Sequence, residues 1–199
     1  MSVNTKSNCP IYGDIARVAV SRRRIARRIG QLADQIARTY DGQEVTILAV
    51  LTGSFIFLAD LVRHLPMLMR LDVVGVSSYP GASTRSKGPR FTLPVSQSLR
   101  GKNVLIVDDI LDTGQTLQAL TKVIRSMRPA SIRTCVLLRK KFKAADKHAK
   151  GQIAADFVGF NIGEEFVVGY GLDYNHCYRN LPEICVMRRH AGRPKGAKL

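Results

Sequence analysis

Val104-Leu105-Ile106-Val107-Asp108-Asp109-Ile110-Leu111-Asp112-Thr113-Gly114-Gln115-Thr116-Leu117 decides how the chain is read. An apolar, β-branched run ends in two adjacent carboxylates. A third acid follows, and then a Thr-Gly-x-Thr turn that opens a helix. The spacing predicts a buried strand over 103–108 and a helix over about 116–127. Each part has a chemical use. Backbone N–H groups of a turn at a helix N-terminus cradle a phosphate, helped by the helix dipole. Gly114 allows close approach of the backbone, and the Thr113 and Thr116 hydroxyls add donors. Asp108 and Asp109 can accept hydrogen bonds from sugar hydroxyls or hold a hydrated Mg²⁺. A phosphate site beside a diol site fits a phosphorylated sugar. A plainer reading makes Asp112 or Thr113 the N-cap of an ordinary acidic turn. Paired acids and phosphate turn in one string favour the ligand site.

Outward from that string, residues 45–51 form a nearly unbroken apolar run that reads as a central strand of a parallel sheet. Gly53 and Ser54 turn it into a helix over 55–65. Residues 71–76 and 132–138 are further buried strands, 157–160 and 166–170 short strands around a Gly163 turn, and 184–187 a last strand. Residues 21–40 place Ile25, Ile29, Leu32, Ile36 and Tyr40 on one helical stripe, with Ser21 as N-cap. Arg23, Arg24, Arg27 and Arg28 fall on the other face, as a solvated surface or, more sharply, an anion contact. The alternation predicts an α/β fold with a doubly wound, mostly parallel sheet, whose ligands sit beyond the carboxyl ends of the strands. Residues 77–94, rich in Pro, Gly, Ser and basic side chains, read as a long functional loop. No P-loop motif is present, and Gly169-x-Gly171 lacks the third glycine of a dinucleotide fingerprint.

The 199 residues suit one domain, over 1–187, followed by a basic tail over 188–199. Lys and Arg number 31 against 15 Asp and Glu, a formal net charge of +16. Such an excess implies an anionic partner: a phosphorylated metabolite, nucleic acid or acidic lipid. The longest apolar stretch, residues 47–59, is broken by Thr52-Gly53-Ser54 and is too short to span a membrane, and no secretory signal is visible. Cys9, Cys135, Cys177 and Cys185 form no C-x-x-C pair and read as reduced thiols of a cytoplasmic protein.

The string at 104–117 resembles the phosphoribosyl-diphosphate motif of type I phosphoribosyltransferases. Leu51-Thr52-Gly53-Ser54-Phe55 is similar to the first active-site loop of the hypoxanthine-guanine branch, and Ser77-Ser78-Tyr79 to the start of its mobile loop. Asp156-Phe157-Val158-Gly159-Phe160, Phe166-Val167-Val168-Gly169-Tyr170-Gly171-Leu172-Asp173-Tyr174-Asn175 and Tyr178-Arg179-Asn180-Leu181-Pro182 resemble its purine-binding end. The likeness spans residues 10–187. It implies the type I phosphoribosyltransferase fold with a small hood and a mobile active-site loop carrying Ser78 and Tyr79. It further implies transfer of the 5-phosphoribosyl group from 5-phosphoribosyl 1-diphosphate to hypoxanthine and guanine, with Mg²⁺ as cofactor.

By that resemblance Asp108 and Asp109 hold the ribose hydroxyls, directly or through Mg²⁺, and Asp173 holds a second Mg²⁺. Asp112 is the general base for the purine N7 proton. Thr113, Gly114, Gln115 and Thr116 hold the 5′-phosphate. Leu51, Thr52 and Gly53 bind diphosphate through backbone amides around a non-proline cis peptide, and Arg179 contacts the same group. Lys140, or Lys141 beside it, donates to the 6-oxo group, Phe166 stacks on the base, and the Val167 backbone reads its edge. Thr52 stands where the family frequently has lysine, Asp108 where glutamate is common, and His176 where an acid is more usual. His176 reads as a surface residue. The expected assembly is a homodimer or homotetramer. Two other readings stay open: a xanthine-preferring relative, and a nucleic-acid-binding regulator on the same fold, similar to the pyrimidine-operon attenuators.

Overall fold

The computed structural model describes residues 10–77, 90–141 and 154–188. Its centre is the apolar run predicted to be a middle strand. β2 (Val45–Leu51) pairs in parallel with β3 (Met69–Ser77) on one side and β5 (Asn103–Leu111) on the other. β6 (Ser131–Lys140) and β7 (Phe157–Ile162) extend the sheet in parallel beyond β5, and β4 (Arg90–Leu93) adds antiparallel to β3. The order is β4-β3-β2-β5-β6-β7. The chain therefore winds from β2 toward β3 and then crosses to the other side of β2. The carboxyl ends of β2 and β5 meet at that reversal, where open parallel sheets bind ligands.

Both faces of the sheet are covered, which explains strands that are apolar without alternation. α1 (Arg22–Tyr40) and α2 (Phe55–Val62) pack on Ile47, Leu105, Val107 and Leu137. α3 (Gln115–Ser126) packs Leu117, Leu120 and Ile124 on Leu48, Val104, Ile106 and Val136 on the opposite face. The stripe predicted for α1 is buried as expected. Ser21 is its N-cap residue, without a side-chain cap bond. Two arginines on its outer face serve the fold. Arg28 donates to the carbonyls of Gly159 (2.9 Å) and Val158 (2.7 Å), and Arg24 lies over the Phe160 ring.

A second, antiparallel sheet forms the hood. β1 (Ile15–Val20) pairs with β9 (Ile184–Met187), which pairs with β8 (Val167–Val168). Ile15, Val168, Tyr178, Leu181 and Cys185 are its core. Several boundaries differ from expectation. β4 occupies residues 90–93 of the predicted long loop, because the chain returns to the open edge of β3. β5 continues to Leu111, since Ile110 and Leu111 still pair with Leu138 and Arg139 of β6; Asp109 thus lies within the strand and not after it. Residues 157–160 and 166–170 do not form one hairpin: β7 belongs to the main sheet and β8 to the hood. Ser78, Tyr79 and most of the tail lie outside the described residues.

Candidate active site

At the reversal point a cleft of about 710 Å³ opens between the main sheet and the hood. The turn after β2 forms one wall. Its Leu51-Thr52 peptide is cis, as the resemblance implies. Gly53 lies so close to Asp109 that an added Cβ would stand 1.7 Å from Oδ2. The buried Ser54 hydroxyl donates to the Val50 carbonyl at 2.6 Å and closes the turn. The hood loop presses on it from outside: Gly171, at φ +99°, has no room for a Cβ, which would sit 2.2 Å from the Gly53 oxygen. Gly169, at φ +94°, and Gly171 thus serve a left-handed turn at close approach and not a nucleotide fingerprint.

β5 supplies the floor. Asp108 is buried and Asp109 half-buried; the Asp109 N–H donates to Asp108 Oδ1 (2.9 Å) and the Ile110 N–H to Asp109 Oδ1 (2.7 Å). Burial, and then the charge of Asp109, pushes the Asp108 carboxyl well above the usual carboxylate range. Burial also raises Asp109, against hydrogen bonding from Asp108 and the Ile110 N–H and against the positive charge of the Arg179 guanidinium. Two crowded carboxylates of this kind suit a hard cation or sugar hydroxyls. Among the described residues no cluster of three or more His, Cys, Asp or Glu side chains converges on one point. A Mg²⁺ here would thus complete its shell with substrate oxygens and water, which is its habit.

The phosphate turn follows. Gly114, at φ +82°, is the N-cap residue of α3, and no side chain caps the helix. The amides at this N-terminus face the cleft lined by Thr113, Gly114, Gln115 and Thr116. Neither Asp112 nor Thr113 serves as a cap, so the plain capping reading of this string fails. Asp112 instead accepts a 2.7 Å ion pair from Lys140 Nζ at the end of β6. The Lys140 side chain is 16% exposed, whereas that of Asp112 is 45% exposed and open to the cleft. Lys141 faces solvent, with its N–H on the Ile162 carbonyl.

From the hood come Asp173 and Arg179. Arg179 bonds Asp173 Oδ1 (2.9 Å) and the Gly171 carbonyl (2.6 Å), while Asp173 Oδ2 accepts the His176 N–H (2.8 Å). His176 lines this cleft, a position its place in a polar turn did not reveal. Leu51, Thr52, Gly53, Asp108, Asp109, residues 112–116, Asp173 and Arg179 are thus brought together as expected. Phe166 and Val167 are not on that cleft. Phe166, 52% exposed, lies edge-on to Tyr174 (5.7 Å, 82°) in a neighbouring cleft of about 670 Å³. Val167 pairs with Val186, and the Phe166 carbonyl accepts the Met187 N–H. That register turns the Val167 N–H and C=O toward the edge of β8 that bears no strand.

Residues 20–175 match the family model "Phosphoribosyl transferase domain". The chain is 40% identical over 179 residues to a hypoxanthine-guanine phosphoribosyltransferase of Mycobacterium bovis, covering 86% of each chain. It is 38% identical over 178 residues to the same enzyme of Streptococcus pneumoniae, covering 89% of this chain and 96% of the relative. A hypoxanthine phosphoribosyltransferase crystal structure from Staphylococcus aureus superposes with a TM-score of 0.82 at 35% identity, covering 91% of this chain and 96% of that one.

Proposed function

The chain belongs to the phosphoribosyltransferase family, in its hypoxanthine-guanine branch, and from that premise we propose how its residues carry the reaction. The enzyme acts in purine salvage. It transfers the 5-phosphoribosyl group of 5-phosphoribosyl 1-diphosphate to hypoxanthine and guanine, forming the nucleoside monophosphate and diphosphate. The observation that carries the residue assignment is the Lys140–Asp112 pair beside the phosphate turn. A 6-oxopurine carries a carbonyl and N7 on one edge. Inserted between the pair, it offers the carbonyl to the Lys140 ammonium and N7 to Asp112, which takes the proton. Adenine presents N–H groups to the ammonium and is refused.

The 5′-phosphate sits on the uncapped amides of residues 113–116, and the ribose hydroxyls on Asp108 and Asp109. The amides of Leu51, Thr52 and Gly53, with Arg179, hold the diphosphate. As the anomeric bond breaks, negative charge grows on that group, where oriented dipoles and cations stabilise it most. Asp108 and Asp109 would hold one Mg²⁺ and Asp173 a second, and such ions would further neutralise the leaving diphosphate. Phe166 stacks on the base, and the Val167 backbone, on the strand-free edge of β8, reads it.

A cytoplasmic location, where thiols stay reduced, fits the buried Cys135 thiol; no described helix is long and apolar enough to cross a membrane. A homodimer or homotetramer fits apolar surface at Phe55, Leu68 and Leu71. Steady-state turnover of hypoxanthine, guanine, xanthine and adenine, followed by diphosphate release, tests the reading. The two 6-oxopurines named first should be used with adenine refused; preference for xanthine would move the chain to another specificity.

A further inference from the structure

We propose that His176 is a leaving-group binding residue, its imidazole donating to the diphosphate in the same cleft that Arg179 serves. The proposal rests on the phosphoribosyl-transfer reading and adds a residue to it. The first ground is charge. Four carboxylates line the cleft: Asp108, Asp109, Asp112 and Asp173. Of the described side chains on its lining, only Arg179 and His176 are basic nitrogen donors. Arg179 is largely committed, to Asp173 Oδ1 and to the Gly171 carbonyl. A polyanionic leaving group beside four acids needs donors beyond a guanidinium already in use.

The second ground is backbone geometry. Asn175, His176 and Tyr178 have φ of 48°, 64° and 71°, left-handed values that non-glycine residues seldom adopt. Asp173 secures the turn by accepting the His176 N–H at 2.8 Å, and a bridge joins Tyr174 to Cys177. Such outliers persist where surrounding structure enforces them and cluster at ligand sites. Here the conformation leaves the imidazole exposed on the cleft wall. During transfer the C1–oxygen bond breaks, and its electron pair leaves with the diphosphate oxygen. An N–H donor from His176 to the diphosphate needs no proton transfer to favour that charge.

The test compares the wild type with His176→Ala, His176→Gln and His176→Asn. Diphosphate affinity is measured by calorimetry and by product inhibition, and KM is measured for both substrates. His176→Ala should weaken diphosphate binding and raise KM for the sugar diphosphate by roughly three- to ten-fold, the span of one ordinary hydrogen bond. KM for hypoxanthine should stay within about two-fold. Gln retains a donor at similar reach and should recover most of the loss. Asn tolerates the left-handed backbone but is shorter, so it should bind diphosphate nearly as poorly as Ala. Unchanged diphosphate affinity in His176→Ala, or full affinity in His176→Asn, overturns the proposal, the latter by assigning the effect to the turn alone. Failure of the wild type to turn over any 6-oxopurine overturns the underlying reading instead.

Discussion

Asp112 and Lys140 are joined at 2.7 Å, so neither acts alone. Asp112→Asn keeps the shape and removes the basicity; kcat should fall by roughly 10²–10⁴ with little change in KM for the sugar diphosphate. A near-normal kcat would remove Asp112 from the chemistry. Lys140→Met should raise KM for hypoxanthine about ten-fold or more, the worth of a charge-assisted hydrogen bond, and relax refusal of adenine. Lys141→Met should do neither, because that side chain points to solvent; the reverse result would exchange their roles. The buried acid pair sets a pH dependence. Asp108 titrates higher in the folded chain than in the unfolded one, so the native state binds more protons between the two values. Stability from this group is complete below about pH 4 and is lost as pH rises. The ligand-free Asp108→Asn variant should therefore melt a few degrees above the wild type at pH 8, with the gap closing toward about pH 4. Calorimetric scans at both values would show it; equal melting temperatures at pH 8 would refute it.

α1 is held to β7 by more than its apolar stripe. Arg28→Ala removes bonds to two strand carbonyls, Val158 and Gly159, and should cost about 1–3 kcal/mol by urea denaturation while leaving both KM values unchanged. α1 itself was legible because Ile25, Ile29, Leu32 and Ile36 recur at helical spacing. β2 and β5 were legible because both faces are covered and their residues are uniformly apolar. β1 was not. Four of its six residues, Ala16 to Ala19, are not buried, and its pairing comes from β9, far along the chain. β4 is four residues long and continues a polar stretch, so nothing local announces it. The same division holds in the site. The acids and phosphate turn lie in one contiguous string and could be read together. His176 is a single polar residue in a turn, and only the folding of the hood over the sheet brings it to the cleft.

At the scale of the whole molecule, the +16 charge acts as a field before any contact is made. The sugar diphosphate, the nucleoside monophosphate and diphosphate are all anions, so kcat/KM for the sugar diphosphate should fall modestly with added salt while kcat holds. A salt-independent kcat/KM would mean that the charge serves something other than capture. The pairing of β1 with β9 also sets an order in time. β1 is made early, yet its partner strand in the hood is residues 184–187, and that sheet also carries β8. During synthesis the parallel sheet, complete by residue 162, can assemble while β1 still waits on the ribosome for the strand it will pair with. With the proposed roles, the nascent chain gains its phosphate turn first and the hood residues that would hold the diphosphate last, so it should be unable to consume activated sugar until its closing strand has emerged.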